Sequence, residues 1–385
     1  MSEKIYIGID YGSSNSCLGI YKNGEVIIIP NKKHDLRTPS IVAFKDEEKI
    51  FVGEDISQLS SLKDTAYVYD IKRFLGKKSK DKFIIEQMKK KIYPFNLISD
   101  NSNEDKVKIK LKTNEKKNFF DEELKKTIQF DPYTNQKIKK DLEFYPEELI
   151  SKIFEHLKQC AEEYLKLESK IIKIENAVIT VPASFSNIQK YLIKEAAEKA
   201  GFKNIRLLSE SSAAALAYGM DQNENKENKI LVIDIGGGTF DVTLLEMIIE
   251  EDYGKNFTEI SVGGDEYLGG RDFDDLLMKN LNKFLDDNKK IDIIINFDKL
   301  TNHKKKRLKK ECEQIKILLS EKDEVIYEIK NFSSNQSINL KITRKAFEDL
   351  CRELFEKILT SINKVLNESE TKKENISDII LTGGT

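Results

Sequence analysis

The feature that most constrains this chain is a pattern that occurs twice. Ile5-Tyr6-Ile7-Gly8-Ile9-Asp10 reads as an apolar strand that runs through Tyr11 into a small-residue turn, Gly12-Ser13-Ser14. Ile230-Leu231-Val232-Ile233-Asp234 does the same and runs through Ile235 into Gly236-Gly237-Gly238-Thr239. Neither strand shows polar alternation, so both are expected to be buried. An alternating stretch follows each turn. The first, Gly19 to Ile29, folds around Asn23-Gly24, a dipeptide that favours a tight hairpin; the second is Asp241-Val242-Thr243-Leu244-Leu245. One strand-Asp-Gly turn is a weak signal. Two, each opening about half of the chain, predict an internally duplicated, two-lobed α/β fold with like turns facing across a cleft.

Length agrees, since 385 residues exceed one ordinary core and suggest two domain-sized lobes. The expected division is 1–223 and 224–385, separated by the polar stretch Asp221–Lys229. Between the two motifs the chain predicts a helix over Glu147–Leu165, a strand over Ala177–Val181 ended by Pro182, a helix over Asn187–Ala200 closed by Gly201, and an alanine-rich helix over Ser211–Tyr218. A peripheral subdomain is expected over about 40–150, with Asn118–Leu142 as a solvated lysine-rich insertion. In the second half Phe273–Leu285, Lys304–Leu319 and Arg344–Leu366 have helical spacing, which places a second peripheral subdomain at about 269–350.

Charge narrows the function classes. Lys+Arg 64 against Asp+Glu 66 leaves a net charge of −2, so no overall positive field would hold nucleic acid or an anionic membrane. Cys17, Cys160, Cys312 and Cys351 are too scattered for a metal or redox spacing and read as reduced thiols. No apolar run approaches bilayer length, and the first strand begins at about Lys4, so the expected address is cytoplasmic. At the other end Ile379-Ile380-Leu381 enters a glycine turn at Gly383-Gly384-Thr385, which reads as a second lobe cut short.

A glycine-rich turn after a strand can present backbone N–H groups to phosphate oxygens without side-chain obstruction. Gly12-Ser13-Ser14 and Gly236-Gly237-Gly238-Thr239 both fit, with hydroxyls as extra donors. Asp10 and Asp234, at the strand ends, could each hold a hydrated divalent cation, which prefers few carboxylates plus waters and phosphates. The competing reading is hairpin glycines with turn-capping aspartates.

Four segments carry a more specific likeness. Ile7-Gly8-Ile9-Asp10-Tyr11-Gly12-Ser13-Ser14-Asn15-Ser16-Cys17, Val181-Pro182-Ala183, Asp234 to Asp241 and Gly264-Asp265-Glu266-Tyr267-Leu268-Gly269-Gly270 resemble the nucleotide-binding domain of the seventy-kilodalton heat-shock chaperones of the DnaK type. The resemblance implies an actin-like ATPase fold of ribonuclease H-like halves, with ATP or ADP, Mg2+ and K+ as candidate ligands. It implies Asp10 and Asp234 on the metal side, and Gly12, Ser13, Ser14, Asn15, Gly236, Gly237, Gly238, Thr239 and Gly264 around the phosphates. Lys72, in Asp70-Ile71-Lys72-Arg73-Phe74, matches the catalytic lysine, while Glu210 and Asp241 match carboxylates that act on the attacking water. Glu313, Lys316 and Ser320 share a helix face and match adenosine contacts, with Gly383 and Gly384 on the opposite wall. J-domain co-chaperones and nucleotide-exchange factors are the implied partners.

The chain departs from the family pattern at four points. Ser13 and Ser14 stand for threonines and keep the hydroxyls. Ser211 replaces a proline after Glu210, which should loosen that turn. Ile317 replaces an arginine that stacks on adenine, and Lys190 replaces an arginine that works with Pro182. No peptide-binding domain is expected within these 385 residues. The reading is slow ATP hydrolysis by a chaperone-type ATPase domain. The alternatives are a sugar or acetate kinase of the same fold and a nucleotide-binding regulator with little turnover.

Overall fold

The computed structural model describes residues 5–44, 50–53, 66–90, 93–103, 105–114, 119–121, 126–128, 139–166, 173–219, 228–250, 254–285, 295, 300, 302–333 and 336–385. They fall into two units, Met1–Glu210 and Ser211–Thr385.

In the first unit, β1 (Tyr6–Tyr11) and β2 (Asn15–Lys22) form an antiparallel hairpin that continues into β3 (Glu25–Ile28). Asn23 and Gly24 both take positive φ, 53° and 87°, as a tight two-residue hairpin turn requires. β4 (Arg37–Pro39) adds to β2. Strands β5 (Val42–Phe44), β6 (Ile50–Val52) and β7 (Ala66–Val68) make a small separate sheet. Helix α1 (Lys82–Lys90) leads to β8 (Asn96–Asp100) and β9 (Lys106–Asn114).

The expected insertion splits here. Strands β10 (Phe119–Asp121) and β11 (Lys126–Ile128) pair with each other, while β12 (Lys139–Phe144) pairs with β9 and sets Leu142 opposite Leu111. Leu142 packs on the core, so the end of that segment belongs to the subdomain sheet rather than to a solvated loop. Residues 118, 122–125 and 129–138 of the insertion lie outside the described residues.

Helix α2 (Pro146–Lys166), β13 (Asn176–Val181), α3 (Asn187–Lys199) and β14 (Asn204–Ser209) complete the unit. Ser186 caps α3 in a reciprocal capping box with Gln189, and Gly201 ends it at φ 86°. β13 lies parallel to β1 on the side away from β2. Ile7, Ile9 and Tyr11 point into a core with Leu149, Ile153, Phe154 and Ala196, and Tyr11 meets Phe154 edge-on at 5.3 Å. The opposite face of β1, bearing Tyr6, Gly8 and Asp10, is exposed. The strand is therefore buried on one face only. Gly8 hides the alternation because it offers no side chain in either direction.

The second unit repeats the arrangement. After α4 (Glu210–Gly219), β15 (Asn228–Ile235) pairs antiparallel with β16 (Phe240–Glu250), which pairs with β17 (Gly254–Asp265). Helices α5 (Gly270–Asn280) and α6 (Asn302–Glu321), the hairpin of β18 (Glu324–Ser333) and β19 (Gln336–Thr343), α7 (Arg344–Leu350) and α8 (Arg352–Glu368) follow. The strand β20 (Asp378–Thr382) then lies parallel to β15. Thus β15 has an antiparallel neighbour on one side and a parallel one on the other, as β1 does. The helix expected over Arg344–Leu366 is broken at Cys351, a fully buried residue with φ −94° and ψ 6°.

The unit boundary falls before Ser211, ahead of the expected start near 224. Three contacts draw α4 to the second sheet: Thr243 Oγ1 to Ser211 Oγ at 2.8 Å, Tyr218 Oη to Asp378 at 3.0 Å, and Gly219 against the Phe257 ring. The Ser211 hydroxyl, expected only to loosen its turn, is buried and accepts the hydrogen bond from Thr243. Among the described residues no helix is long and apolar enough to cross a membrane, and all four cysteines are free thiols.

Candidate functional site

In the first unit the β1–β2 hairpin leaves Gly12, Ser13 and Ser14 as its turn. A Cβ on Gly12 would lie 2.4 Å from the Asn15 carbonyl oxygen, so this turn requires glycine. Ser13 is buried, and among the described residues its Oγ has no hydrogen-bond partner. An orphaned buried hydroxyl is costly unless something else accepts from it or donates to it, and a phosphate oxygen suits it. Asn15 is exposed beside it. Asp10, exposed at the end of β1, accepts a hydrogen bond of 2.7 Å from Thr180 at the end of β13.

Lys72 is carried by a single 3-10 turn, Ile71–Phe74, bracketed by Asp70 at φ 61° and Gly76 at φ 69°. The buried Asp70 carboxylate accepts from Tyr93 Oη at 3.3 Å. This bracketing drives the lysine inward until it is only 3% exposed. Its Nζ donates to the Tyr11 carbonyl at 2.8 Å and to Glu210 Oε1 at 2.6 Å, and stands 5.6 Å from the Tyr11 ring centre. The structure therefore joins Lys72 and Glu210 and ties both to the strand end that opens the Gly12–Ser14 turn.

In the second unit Thr382, Asp234, Asp241 and Gly264 form one row across β20, β15, β16 and β17. Asp234 and Asp241 face each other across an antiparallel ladder, where like charges repel. A cation near them relieves that repulsion. Among the described residues no three His, Cys, Asp or Glu side chains gather to hold a metal. Gly264 has φ 149°, and a Cβ there would lie 2.2 Å from the Phe240 carbonyl oxygen. Gly383, at φ 92°, packs on the Ile235 carbonyl and the Asp234 carboxylate, whereas Gly384 faces open space.

The Gly236–Thr239 turn is closed by Gly236 N–H donating to the Thr239 carbonyl at 3.0 Å. Gly270 and Arg271, at the start of α5, donate to the Gly236 and Gly237 carbonyls, each at 3.0 Å, and Thr385 Oγ1 donates to Gly236 at 2.9 Å. On α6, Lys316 reaches back to the Gly270 carbonyl at 2.9 Å. Glu313 and Ser320 are exposed on the same helix, and Ile317 is 49% exposed, open to a ligand instead of packed in the core.

Three residues at these sites escape a reading by motif: Thr180, Asp274 and Ser40. Ser40, only 1% exposed, clamps both ends of the first turn: its N–H donates to the Ser14 carbonyl at 2.9 Å and its Oγ to the Gly12 carbonyl at 2.7 Å. Ser16 Oγ lies 2.9 Å behind it, and donates to Ser40 because the Ser40 proton is already committed. The only sequence hint was a hydroxyl beside Pro39. Ser40→Ala strands the Gly12 carbonyl, so it should lower unfolding free energy by about 1–3 kcal/mol, read by urea denaturation, and Ser40→Cys should recover little of it.

A sheet motif repeated in two units, each with an Asp–Gly–hydroxyl turn, is an internally duplicated α/β fold, the class that holds the actin-like proteins. The family described as Hsp70 protein matches residues 6–129 and 114–385 of the chain. Over 384 residues the chain is 35% identical to heat shock cognate 70 kDa protein 3 of Dictyostelium discoideum, covering 98% of this chain and 54% of that protein. Over 380 residues it is 33% identical to heat shock 70 kDa protein 2 of Paracoccidioides lutzii, covering 98% and 51%. The chain belongs to the Hsp70 family, and it spans about half the length of these curated relatives.

Proposed function

We propose that this chain binds ATP and hydrolyses it slowly to ADP and phosphate, as the ATPase part of a chaperone that supports protein folding. The observation that carries the reading is the Lys72 ammonium, held on the Tyr11 carbonyl and Glu210 at the strand end that leads into the Gly12–Ser14 turn. Hydrolysis needs a water placed in line with the γ-phosphorus and cationic donors for the charge that develops on the phosphoryl oxygens. Lys72 supplies the donor. Ser13, Ser14 and Thr239 supply hydroxyls, and the glycines of both turns allow close approach of the phosphates. Glu210 and Asp241 are the carboxylates for orienting the water and taking its proton. Magnesium, when bound, neutralises phosphate charge, with Asp10 and Asp234 as the acceptors for its water shell. Potassium is a further candidate ion. On the base side Glu313, Lys316, Ser320, Gly383 and Gly384 form the adenosine contacts. J-domain and nucleotide-exchange partners belong to the same proposal and rest on family membership.

Steady-state phosphate release tests the reading. ATP alone should give slow turnover, removal of magnesium with a chelator should stop it, and sugars or acetate should leave it unchanged. Acceptor-dependent ADP formation with no phosphate released would point instead to a kinase of the same fold. ATP binding without turnover would point to a nucleotide-binding regulator.

A further inference from the structure

The Lys316 ammonium has three N–H donors and no acceptor. One goes to the Gly270 carbonyl at 2.9 Å, and Asp274 Oδ1 lies 2.8 Å away as the ion-pair partner, so the ammonium is fixed from one side and keeps donor capacity for anything bound at this helix face. Asp274 lies on α5, is 3% exposed, and is embedded beside the buried thiols Cys312 and Cys351. A buried carboxylate has no water shell to replace a lost partner, so Lys316 and Asp274 depend on each other. Gly270, which Lys316 grips, also donates to the Gly236 carbonyl of the glycine turn, and Thr385 donates to that same carbonyl. A Cβ on Gly270 would lie 2.6 Å from Thr385 Oγ1 and 2.9 Å from Lys316 Nζ, so the three meet at one point.

We propose that Asp274 is a positioning residue, which fixes the Lys316 ammonium on the Gly270 carbonyl and so aims its remaining donor capacity at the ribose hydroxyls of an adenine nucleotide. This rests on the ATP-binding reading above. The charge on Asp274 then decides how firmly the nucleoside is held, while the phosphates are gripped independently. Burial pushes the Asp274 carboxyl up to about 6, with the Lys316 charge opposing that shift and Glu313 adding to it. Lys309 on α6 also opposes it, and the nearby thiols stay protonated because burial raises both. The charged form therefore prevails at pH 7.5 and is lost as pH falls through about 6.

The test is calorimetric titration of the parent chain, Asp274→Asn, Lys316→Met and the double variant with ADP and with inorganic tripolyphosphate, at pH 7.5 and 5.5. At pH 7.5 Asp274→Asn should bind ADP about five- to tenfold more weakly than the parent and tripolyphosphate equally well. At pH 5.5 the parent should fall to the level of Asp274→Asn, whose own ADP-to-tripolyphosphate ratio should not change with pH. In the Lys316→Met background Asp274→Asn should add nothing. Equal losses for both ligands, or an additive double variant, would make Asp274 a purely structural residue and overturn its role. So would parent binding of ADP with unchanged affinity in Asp274→Asn. Failure of the parent to bind ADP would instead overturn the nucleotide-binding reading on which this one stands.

Discussion

Replacing Lys72 by alanine should reduce single-turnover ATP hydrolysis by about 10²–10³-fold while ATP stays bound within a few-fold of the parent affinity. A lone preorganised donor aimed at developing charge is worth that much in a water-poor site, and Lys72 is held nearly free of solvent by the Tyr11 carbonyl and Glu210. On the proposed reading Lys72 is one of several phosphate contacts, so most of the affinity should survive. The substitution also leaves Glu210, itself largely buried, without its cation, and a loss of about 1–3 kcal/mol in stability should accompany it. Glu210→Gln, read by denaturation and not by turnover, checks the stability part alone, because it weakens the ion pair while keeping shape and Lys72. Lys77→Ala, just past Gly76, serves as the control. Hydrolysis at the parent rate in Lys72→Ala, or an equal loss in Lys77→Ala, would remove Lys72 from the chemistry.

A single added methyl group should do comparable damage at Gly269. A Cβ there would lie 2.6 Å from Gly238 N, 2.7 Å from Gly236 O and 2.7 Å from Gly238 Cα. All three are backbone atoms of the second glycine turn, and none can rotate away as a flexible side chain could. Relief would require the turn to move from the start of α5 and stretch the hydrogen bonds from Gly270 and Arg271. Gly269→Ala should therefore cost about 2–4 kcal/mol of folding stability and weaken ATP binding by more than about tenfold. Gly8→Ala is a fitting contrast, since the nearest atom to its Cβ would be the Gly19 carbonyl at 3.9 Å. Thermal unfolding of the two variants side by side checks the prediction, and equal melting temperatures would show that α5 does not press on the turn.

Much of the fold is local and could be read without coordinates. Asn23-Gly24 closes its hairpin, Ser186 and Gln189 cap α3, and the strand Ala177–Val181 stops at Pro182, because each depends on backbone preferences a few residues long. Where neighbouring segments compete, pattern alone went astray. Arg344–Leu366 has continuous helical spacing, yet Cys351 is fully buried and the chain turns there. The tail of the lysine-rich insertion was paired with β9, because a strand partner supplies a burial that composition does not disclose.

The doubled Asp–Gly–hydroxyl motif and the order of strands and helices were determined by the sequence itself, through periodicity and turn chemistry acting over short range. That Lys72 becomes nearly dry was decided only by tertiary structure, which brings it to Glu210 across 138 positions of chain. The same holds for Ser40 behind the Gly12 turn and for Asp274 beneath Lys316. A hydroxyl or carboxylate looks alike in sequence whether it faces water or a buried partner. Its energetic role follows from desolvation, and desolvation exists only once the distant segments that exclude water have packed together.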